Sequence, residues 1–306
     1  MIGPTGAAPA PSANGVFRPM LPGQVSQLRL FDLRCGGERV VFETSALIEA
    51  PNCHPDGQRI VVKLTHGTKT VKTRRATTGD DGRFAMKLKL RSAGHLVIRG
   101  RHLPSPQVKG DRSKPVRVLA FTPSLNFGSH GALTRLFQKH LAKMKYPAST
   151  SGVYDGATGR AVLAYRKVNG LSRVETPSDS IIRAVLQDKG AYEVVHPNAG
   201  HHVEADLSRQ ILALVDGDKV VRVEPVSSGK PSTPTVLGHY RFYSKTPGTN
   251  SEGMVYANYF IRGYAIHGYA SVPSYNASHG CLRIPIPDAV RVYDWIDLGD
   301  EIFVEN

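Results

Sequence analysis

The sequence predicts a multidomain, mainly β protein that carries a small helical domain between two β-rich regions. Three observations support this fold class. The chain has 306 residues, enough for two or three domains with their own cores. Short runs of β-forming residues alternate with turn sequences before residue 123 and again after residue 200. Between these regions the apolar residues recur at helical spacing instead.

The chain begins with a segment that we predict to be disordered, residues 1–17. It is rich in Pro, Gly and Ala, and it has neither the apolar core nor the basic start of a signal peptide. We therefore interpret it as a leader outside the first folded domain.

Residues 18–122 are predicted to form a β-sandwich. The predicted strands include Val25–Phe31, Arg59–Thr65, Lys69–Arg75 and Arg83–Leu90. In the last of these, Phe84, Met86, Leu88 and Leu90 alternate with basic residues, and turn sequences such as Asp80-Asp81-Gly82 separate the strands. Regularly spaced short strands are typical of a sandwich. The Asp-Gly-Arg-Phe turn and the strand after it resemble bacterial immunoglobulin-like wall modules, which implies a spacer or adhesion role.

Residues 123–192 are predicted to form a bundle of three short helices. The apolar positions at helical spacing are Leu133, Leu136, Phe137, Leu141 and Met144, then Ala161, Ala164, Tyr165 and Val168, then Ile181, Ile182, Val185 and Leu186. Asn169-Gly170 is a helix stop and Ser178 is a helix cap. The run 152–171 resembles the type 1 peptidoglycan-binding module, and a purely structural helical linker is the alternative.

Residues 201–306 are predicted to form a third, β-rich domain. Its strands are Val203–Leu207, Gln210–Val215, Lys219–Val226, His239–Ser244, Val255–Phe260, Tyr264–His267 and 300–304, with one amphipathic helix at Asp288–Ile296. A hairpin is expected at Asp216-Gly217-Asp218. We interpret His196, His201 and His202 as solvated residues of the linker into this domain.

The chemistry-bearing residues concentrate between Tyr264 and Pro285. His267 ends a strand-like run, and a polar loop returns the chain to Cys281. A thiol of ordinary pKa is mostly protonated at neutral pH, so it needs a nearby imidazole to become a nucleophile. His267 or His279 can supply one, and the N–H groups of Gly280 and Cys281 are candidates for an oxyanion hole. A buried structural thiol and a zinc site are alternatives, although no fourth zinc ligand is apparent.

Two sequence blocks make this pattern specific. The first block is Ser227-Ser228-Gly229-Lys230-Pro231-Ser232-Thr233-Pro234 followed by Gly238-His239-Tyr240. The second block is His267-Gly268 followed by Ser278-His279-Gly280-Cys281-Leu282-Arg283. Both blocks, in this order, resemble the L,D-transpeptidases of the YkuD family, bacterial enzymes that cross-link peptidoglycan. The resemblance implies a β-rich catalytic domain over residues 201–306, without metal or cofactor.

The resemblance also implies roles for the site residues. Cys281 would attack the third residue of a donor tetrapeptide stem, release D-Ala, and pass the acyl group to a second stem in a 3-3 cross-link. His267 would be the general acid/base, oriented by the Gly268 carbonyl. The remaining roles are an oxyanion hole at Gly280 and Cys281, tuning of the thiolate by His279, and substrate binding by Ser278 and Arg283. An L,D-carboxypeptidase and a non-catalytic wall-binding protein are the alternatives.

The charge distribution suggests where the protein acts. Lys and Arg outnumber Asp and Glu by 20 to 8 in residues 1–122 and by 10 to 4 in residues 123–190, but residues 191–306 carry 9 against 13. This asymmetry favours anchoring to an anionic cell wall. No nucleic-acid motif or membrane-length apolar stretch is apparent. We expect an extracytoplasmic location, with a signal or anchor not present in this chain, and a disulfide between Cys35 and Cys53 is a further expectation.

Overall fold

The computed structural model describes residues 18–20, 25–28, 57, 59–77, 86–89, 94–104, 111–112, 115–120 and 122–306. The chain divides into two compact units, Met1–Thr122 and Pro123–Asn306. The predicted leader and the predicted Cys35–Cys53 disulfide lie outside the described residues. In the described part of the chain, no helix is long and apolar enough to cross a membrane.

The described part of the first unit consists of strands. They are β1 (Arg18–Met20), β2 (Val25–Leu28), β3 (Arg59–His66), β4 (Lys69–Thr77), β5 (Met86–Lys89), β6 (Gly94–His102), β7 (Asp111–Arg112) and β8 (Val116–Ala120). One sheet has the order β1-β8-β6-β3-β4, with β7 paired to β6, and β2 pairs with β5. Strand β3 alternates in burial, since Ile60, Val62 and Leu64 are buried and the residues between them are more exposed. The β character is confirmed, and the sandwich arrangement stays a prediction.

Three helices open the second unit, as predicted from the apolar spacing. They are α1 (Ala132–Lys143), α2 (Gly156–Val168) and α3 (Asp179–Val185). Asp155 caps α2 by accepting a hydrogen bond from the Thr158 N–H at 2.9 Å, and Ser178 caps α3 as predicted. Asn169 is the residue that ends α2. These caps satisfy backbone donors that a helix end would otherwise leave unpaired.

The helices pack on the strands that follow them. Lys167 of α2 is only 2% exposed, and its Nζ donates to the carbonyl oxygens of Gln210 at 3.0 Å and Val226 at 2.8 Å. Arg160 of α2 donates to the carboxylate of Asp288 at 3.1 Å. The helical segment and the C-terminal β domain therefore share buried polar contacts within one compact unit.

The rest of the second unit is two sheets and one helix. The elements are β9 (His201–Asp206), β10 (Ile211–Asp216), β11 (Lys219–Pro225), β12 (Gly238–Arg241), β13 (Ser244–Thr249), β14 (Val255–Ile261), β15 (Tyr264–Tyr269), β16 (Leu282–Pro285), α4 (Ile286–Trp295) and β17 (Glu301–Glu305). One sheet has the order β11-β10-β9-β17-β12 and the other β13-β14-β15-β16. Side chains from both sheets and α4 form one apolar core, which includes Val203, Ile266, Leu282 and Val292.

Three features of this region differ from the expectations. Strand β13 was not predicted, because Pro247 and Gly248 interrupt it. It lies at a sheet edge and its register shifts between Thr246 and Thr249, where such residues are tolerated. Strand β16, directly after Cys281, was not predicted either. His202 is fully buried rather than solvated, because its Nδ1 contacts the Gly200 carbonyl at 2.8 Å and its Nε2 contacts Glu204 at 3.1 Å.

Candidate active site

Strand β15 carries His267 in the interior of its sheet, between β14 and β16. The imidazole is 2% exposed, and its Nδ1 lies 2.9 Å from the carbonyl oxygen of Gly268. Since a carbonyl can only accept a hydrogen bond, Nδ1 carries the proton and Nε2 has a free lone pair. Burial lowers the pKa of His267, and the nearby positive charge of Arg283 lowers it further, whereas the bond to Gly268 opposes both. The imidazole is therefore neutral at neutral pH.

Gly268 is required by the packing of α4 on this strand. A Cβ at this position would lie 2.7 Å from the Cβ of Ala289 and 3.2 Å from the Cα of Ile286 and the Cβ of Val255. Any side chain would push α4 away from β15. A glycine after His267 thus permits the close helix–strand contact and leaves its carbonyl beside the imidazole.

Cys281 directly precedes β16, which runs parallel to β15. In this pairing Ile266 is opposite Leu282 and His267 is opposite Arg283. Extended by one residue, this register sets Cys281 beside Ala265, which lies two positions before His267 on the same face of β15. Its Sγ lies 3.5 Å from the carbonyl oxygen of Gly263. The register therefore brings the thiol and the imidazole to one face of the sheet.

The thiol is protonated at rest. Burial raises the pKa of Cys281, and this effect exceeds the opposing contributions of the Ala265 N–H and the positive charge of Arg283. The raised pKa of the thiol and the lowered pKa of His267 both favour a neutral pair over a thiolate–imidazolium pair. The proton must then move from sulfur to nitrogen during any nucleophilic attack.

The turn before Cys281 is fixed by Ser278 and Gly280. The Ser278 hydroxyl donates to the Cys281 carbonyl at 2.6 Å and accepts from the Gly280 N–H at 3.0 Å. Gly280 has φ +124°, and a Cβ there would lie 3.0 Å from Cδ1 of Tyr264 and closer still to Cε1. Only glycine meets both the backbone and the packing requirements of this turn.

A second loop braces this turn through backbone hydrogen bonds. Ser227 and Arg283 exchange two N–H···O bonds of 3.0 Å, and the Ser228 carbonyl accepts from the N–H groups of Ala277 and Ser278 at 2.9 Å. The Lys230 N–H donates to the Ser278 carbonyl at 2.9 Å. The first sequence block therefore forms one wall of the cysteine turn.

Thr235, directly after Pro234 of the first block, also links that loop to the cysteine turn. Its hydroxyl donates to the Gly280 carbonyl at 2.7 Å and accepts from the Gly229 N–H at 2.9 Å. A Cβ on Gly229 would lie 2.5 Å from the Thr235 nitrogen and 2.7 Å from the carbonyl carbon of Pro234. The loop is thus too tight for any residue but glycine at this position.

The other predicted site residues lie in different environments. His279 is exposed, and its Nε2 lies 3.2 Å from the Lys230 Nζ. Ser278 is fully buried with its hydroxyl engaged in the turn, and the Gly280 N–H is also engaged there. Arg283 places its guanidinium 4.1 Å from the ring centroid of Tyr269. The structure therefore brings His267, Cys281 and Arg283 together at the reactive face, and it directs His279 toward Lys230.

Sequence reasoning missed two aromatic contributors. Tyr264 packs against Gly280, and the Tyr269 ring meets His267 edge-on at a centroid distance of 5.6 Å. Both lie on β15, three positions before and two positions after the histidine, so the sequence signal is an aromatic residue at each end of the strand. Their contacts depend on the pairing of β15 with β16 and cannot be inferred from spacing alone.

The fold and site define a β-rich domain in which a histidine lies on one strand and a cysteine directly precedes the neighbouring parallel strand. Residues 200–304 match the family model of the YkuD L,D-transpeptidase catalytic domain. The chain is 29% identical over 126 residues to L,D-transpeptidase 1 of Mycobacterium tuberculosis, an alignment covering 33% of this chain and 48% of the relative. The chain thus spans about half the length of the curated relatives it matches.

A solved structure supports the same assignment. The L,D-transpeptidase (residues 123–326) from Xylanimonas cellulosilytica is similar with a TM-score of 0.56 and 29% identity, covering 60% of this chain and 98% of that one. Residues 200–304 are therefore an L,D-transpeptidase catalytic domain of the YkuD family.

Proposed function

We propose that the protein is a peptidoglycan L,D-transpeptidase that forms 3-3 cross-links through an acyl-enzyme on Cys281, with release of D-Ala. The observation that carries this proposal is the parallel pairing of β15 with β16, which brings His267 and Cys281 to one face. The bond from Nδ1 to the Gly268 carbonyl leaves Nε2 as the proton acceptor. Family membership supplies the reaction class.

The acylation step follows from these positions. His267 Nε2 removes the proton from Cys281, and the sulfur attacks the carbonyl carbon of the third residue of the donor stem. The developing oxyanion is stabilised by the Cys281 N–H, because the Gly280 N–H is engaged by Ser278. As the tetrahedral intermediate collapses, the amide bond to D-Ala breaks and His267 returns the proton to the leaving amine.

Deacylation reverses these roles on a second stem. The acceptor amine attacks the thioester carbonyl and loses a proton to His267, the C–S bond breaks, and the proton returns to the sulfur. Water in place of the amine would give an L,D-carboxypeptidase. Arg283 faces the same site and lowers the pKa of both groups, so it favours the thiolate as attack begins and is available to a substrate carboxylate.

The remaining parts of the proposal concern partners and location. A peptidoglycan enzyme acts outside the cytoplasm, at the cell wall or in the periplasm. The basic excess of residues 1–190 suits an anionic wall polymer, and the run 152–171 is proposed as a peptidoglycan-binding-like segment. We propose no nucleic-acid partner and no cofactor.

The test is product analysis with a disaccharide-tetrapeptide, with and without excess acceptor stem. The proposal predicts loss of D-Ala and a dimer linked between third residues. Tripeptide alone would identify a carboxypeptidase, and no reaction would support a non-catalytic wall-binding protein. His267→Gln should slow product formation about 100-fold or more, and His239→Gln, which alters a histidine on exposed strand β12, is the matched control.

A further inference from the structure

A cavity of about 350 Å³ lies between α2 and the segments that leave strands β15 and β16. Its walls are formed mainly by Arg160, Leu163 and Lys167 on one side and by Tyr269, Val272 and Ile286 on the other. This volume is typical of pockets that bind small molecules or short peptide segments. The helical segment and the catalytic domain therefore build the cavity jointly.

The cavity begins where the reactive face ends. Tyr269 belongs to its lining, and the same ring lies 5.6 Å from the ring of His267 and 4.1 Å from the guanidinium of Arg283. Tyr269 and His267 are two positions apart on β15 and so share a face. The cavity and the reactive face therefore meet at Tyr269.

The positive charge of the cavity comes from Arg160. Its Nε donates to Asp288, and Arg222 also donates to Asp288, at 2.6 Å. Arg222 does not line the cavity and is engaged by both Asp288 and Glu224. Arg160 is therefore the guanidinium that faces the cavity. A guanidinium has five N–H donors, so Arg160 keeps some for a ligand.

The other lining groups suit a peptide. Leu163, Val272 and Ile286 offer apolar contacts, and Glu175 supplies a carboxylate that can accept from an amine. Lys167 also lines the cavity, although two of its N–H groups are engaged by backbone carbonyls. A short peptide with a free carboxylate and an amine, such as a peptidoglycan stem, matches this set.

We propose that this cavity binds the carboxylate-terminated end of the acceptor peptidoglycan stem, with the carboxylate at Arg160 and the side chain that bears the attacking amine directed past Tyr269 toward Cys281. This inference rests on the proposed function for the identity of the ligand. It assigns to α2 a part in substrate binding, in addition to its packing on the catalytic domain.

Calorimetric binding of a tetrapeptide stem to Cys281→Ala protein tests this proposal without turnover. In that background Val272→Trp fills the cavity, and Val290→Trp is the matched control, because Val290 is an exposed residue of α4 outside the lining. We expect Val272→Trp to weaken binding about tenfold or more, and Val290→Trp to bind like the parent. Thermal unfolding of each variant checks that it is folded.

The stem amidated at its C-terminus provides the second arm. It should bind more weakly than the free acid to the parent, and this difference should disappear in Val272→Trp. Equal affinities of the acid and the amide, or of the two tryptophan variants, would overturn the proposal. Acylation of wild-type Cys281 is measured separately, so binding without acylation would reject the proposed function and leave the cavity assignment intact.

Discussion

Replacing Gly280 with alanine should destabilise the turn that presents Cys281. Two costs arise from the structure. A backbone with φ +124° is strained for any residue with a Cβ, at about 1–3 kcal/mol. The new methyl would also overlap the Tyr264 ring, and such overpacking costs about 1–3 kcal/mol. Together they predict a loss of about 2–6 kcal/mol, or about 4–24 °C in the melting temperature of a unit of this size.

The same change should also slow the acylation of Cys281. Relief of the overlap requires the turn to move, and movement breaks the bond from the Gly280 N–H to Ser278. A displacement of about 1 Å at a reactive group can cost about 100-fold in rate. The assay is thermal unfolding together with the rate at which an acylating probe labels Cys281.

Gly299→Ala is the matched control for this prediction. Gly299 has φ +95°, but a Cβ there would meet no atom within 4 Å. It should therefore show the backbone cost alone, with acylation unchanged. Adding Tyr264→Ala to Gly280→Ala should remove the destabilisation that comes from the steric overlap and leave the destabilisation that comes from backbone strain. If Gly280→Ala unfolds and acylates like Gly299→Ala, the reasoning about Tyr264 is refuted.

Three further changes test other parts of the account. Glu224→Gln should flatten the pH dependence of stability. Burial raises the pKa of Glu224 from 4.5 to about 8, so between about pH 4.5 and 8 the folded wild type retains a proton that the unfolded chain loses, and its unfolding free energy falls by up to about 5 kcal/mol. Unfolding free energies from urea titrations that change equally with pH in both proteins would contradict this. Arg283→Gln should move the acidic limb of the acylation rate to higher pH, because Arg283 lowers the pKa of His267, and an unmoved limb in the pH–rate profile would count against it. Ser278→Ala should lower the unfolding free energy by about 1–3 kcal/mol, because it leaves the Gly280 N–H unpaired in a buried turn. Urea unfolding measures the loss, and Ser251→Ala is an exposed control. A loss no larger than that of the control would argue against a stabilising role for the Ser278 hydrogen bond.

The fold was predictable where local signals decide it. Runs of β-forming residues between turn sequences located β3 and β4, and apolar spacing with the cap at Ser178 and the stop at Asn169 located the helices. Strand β16 was not predictable, because its four residues become a strand only by pairing with β15. Strand β13 was missed because Pro247 and Gly248 normally break strands, and only an edge position accommodates them.

The candidate site was predictable in its residues and not in their orientation. The close spacing of Ser278 to Cys281 in the sequence made the cluster visible. Whether a side chain in a tight turn faces the thiol depends on backbone conformation, however, so the contact of His279 with Lys230 and the engagement of the Gly280 N–H were not foreseeable. The brace from Thr235 joins positions 45 residues apart, and no spacing rule reveals such a contact.

The most direct test of the central claim is the intact mass of the protein during reaction with a disaccharide-tetrapeptide. The account predicts a transient adduct equal to the donor less D-Ala, located on the peptide that contains Cys281. The adduct should be absent in Cys281→Ala and should form about 100-fold or more slowly in His267→Gln. An adduct that persists in Cys281→Ala, or products formed by wild type without modification of Cys281, would contradict the account.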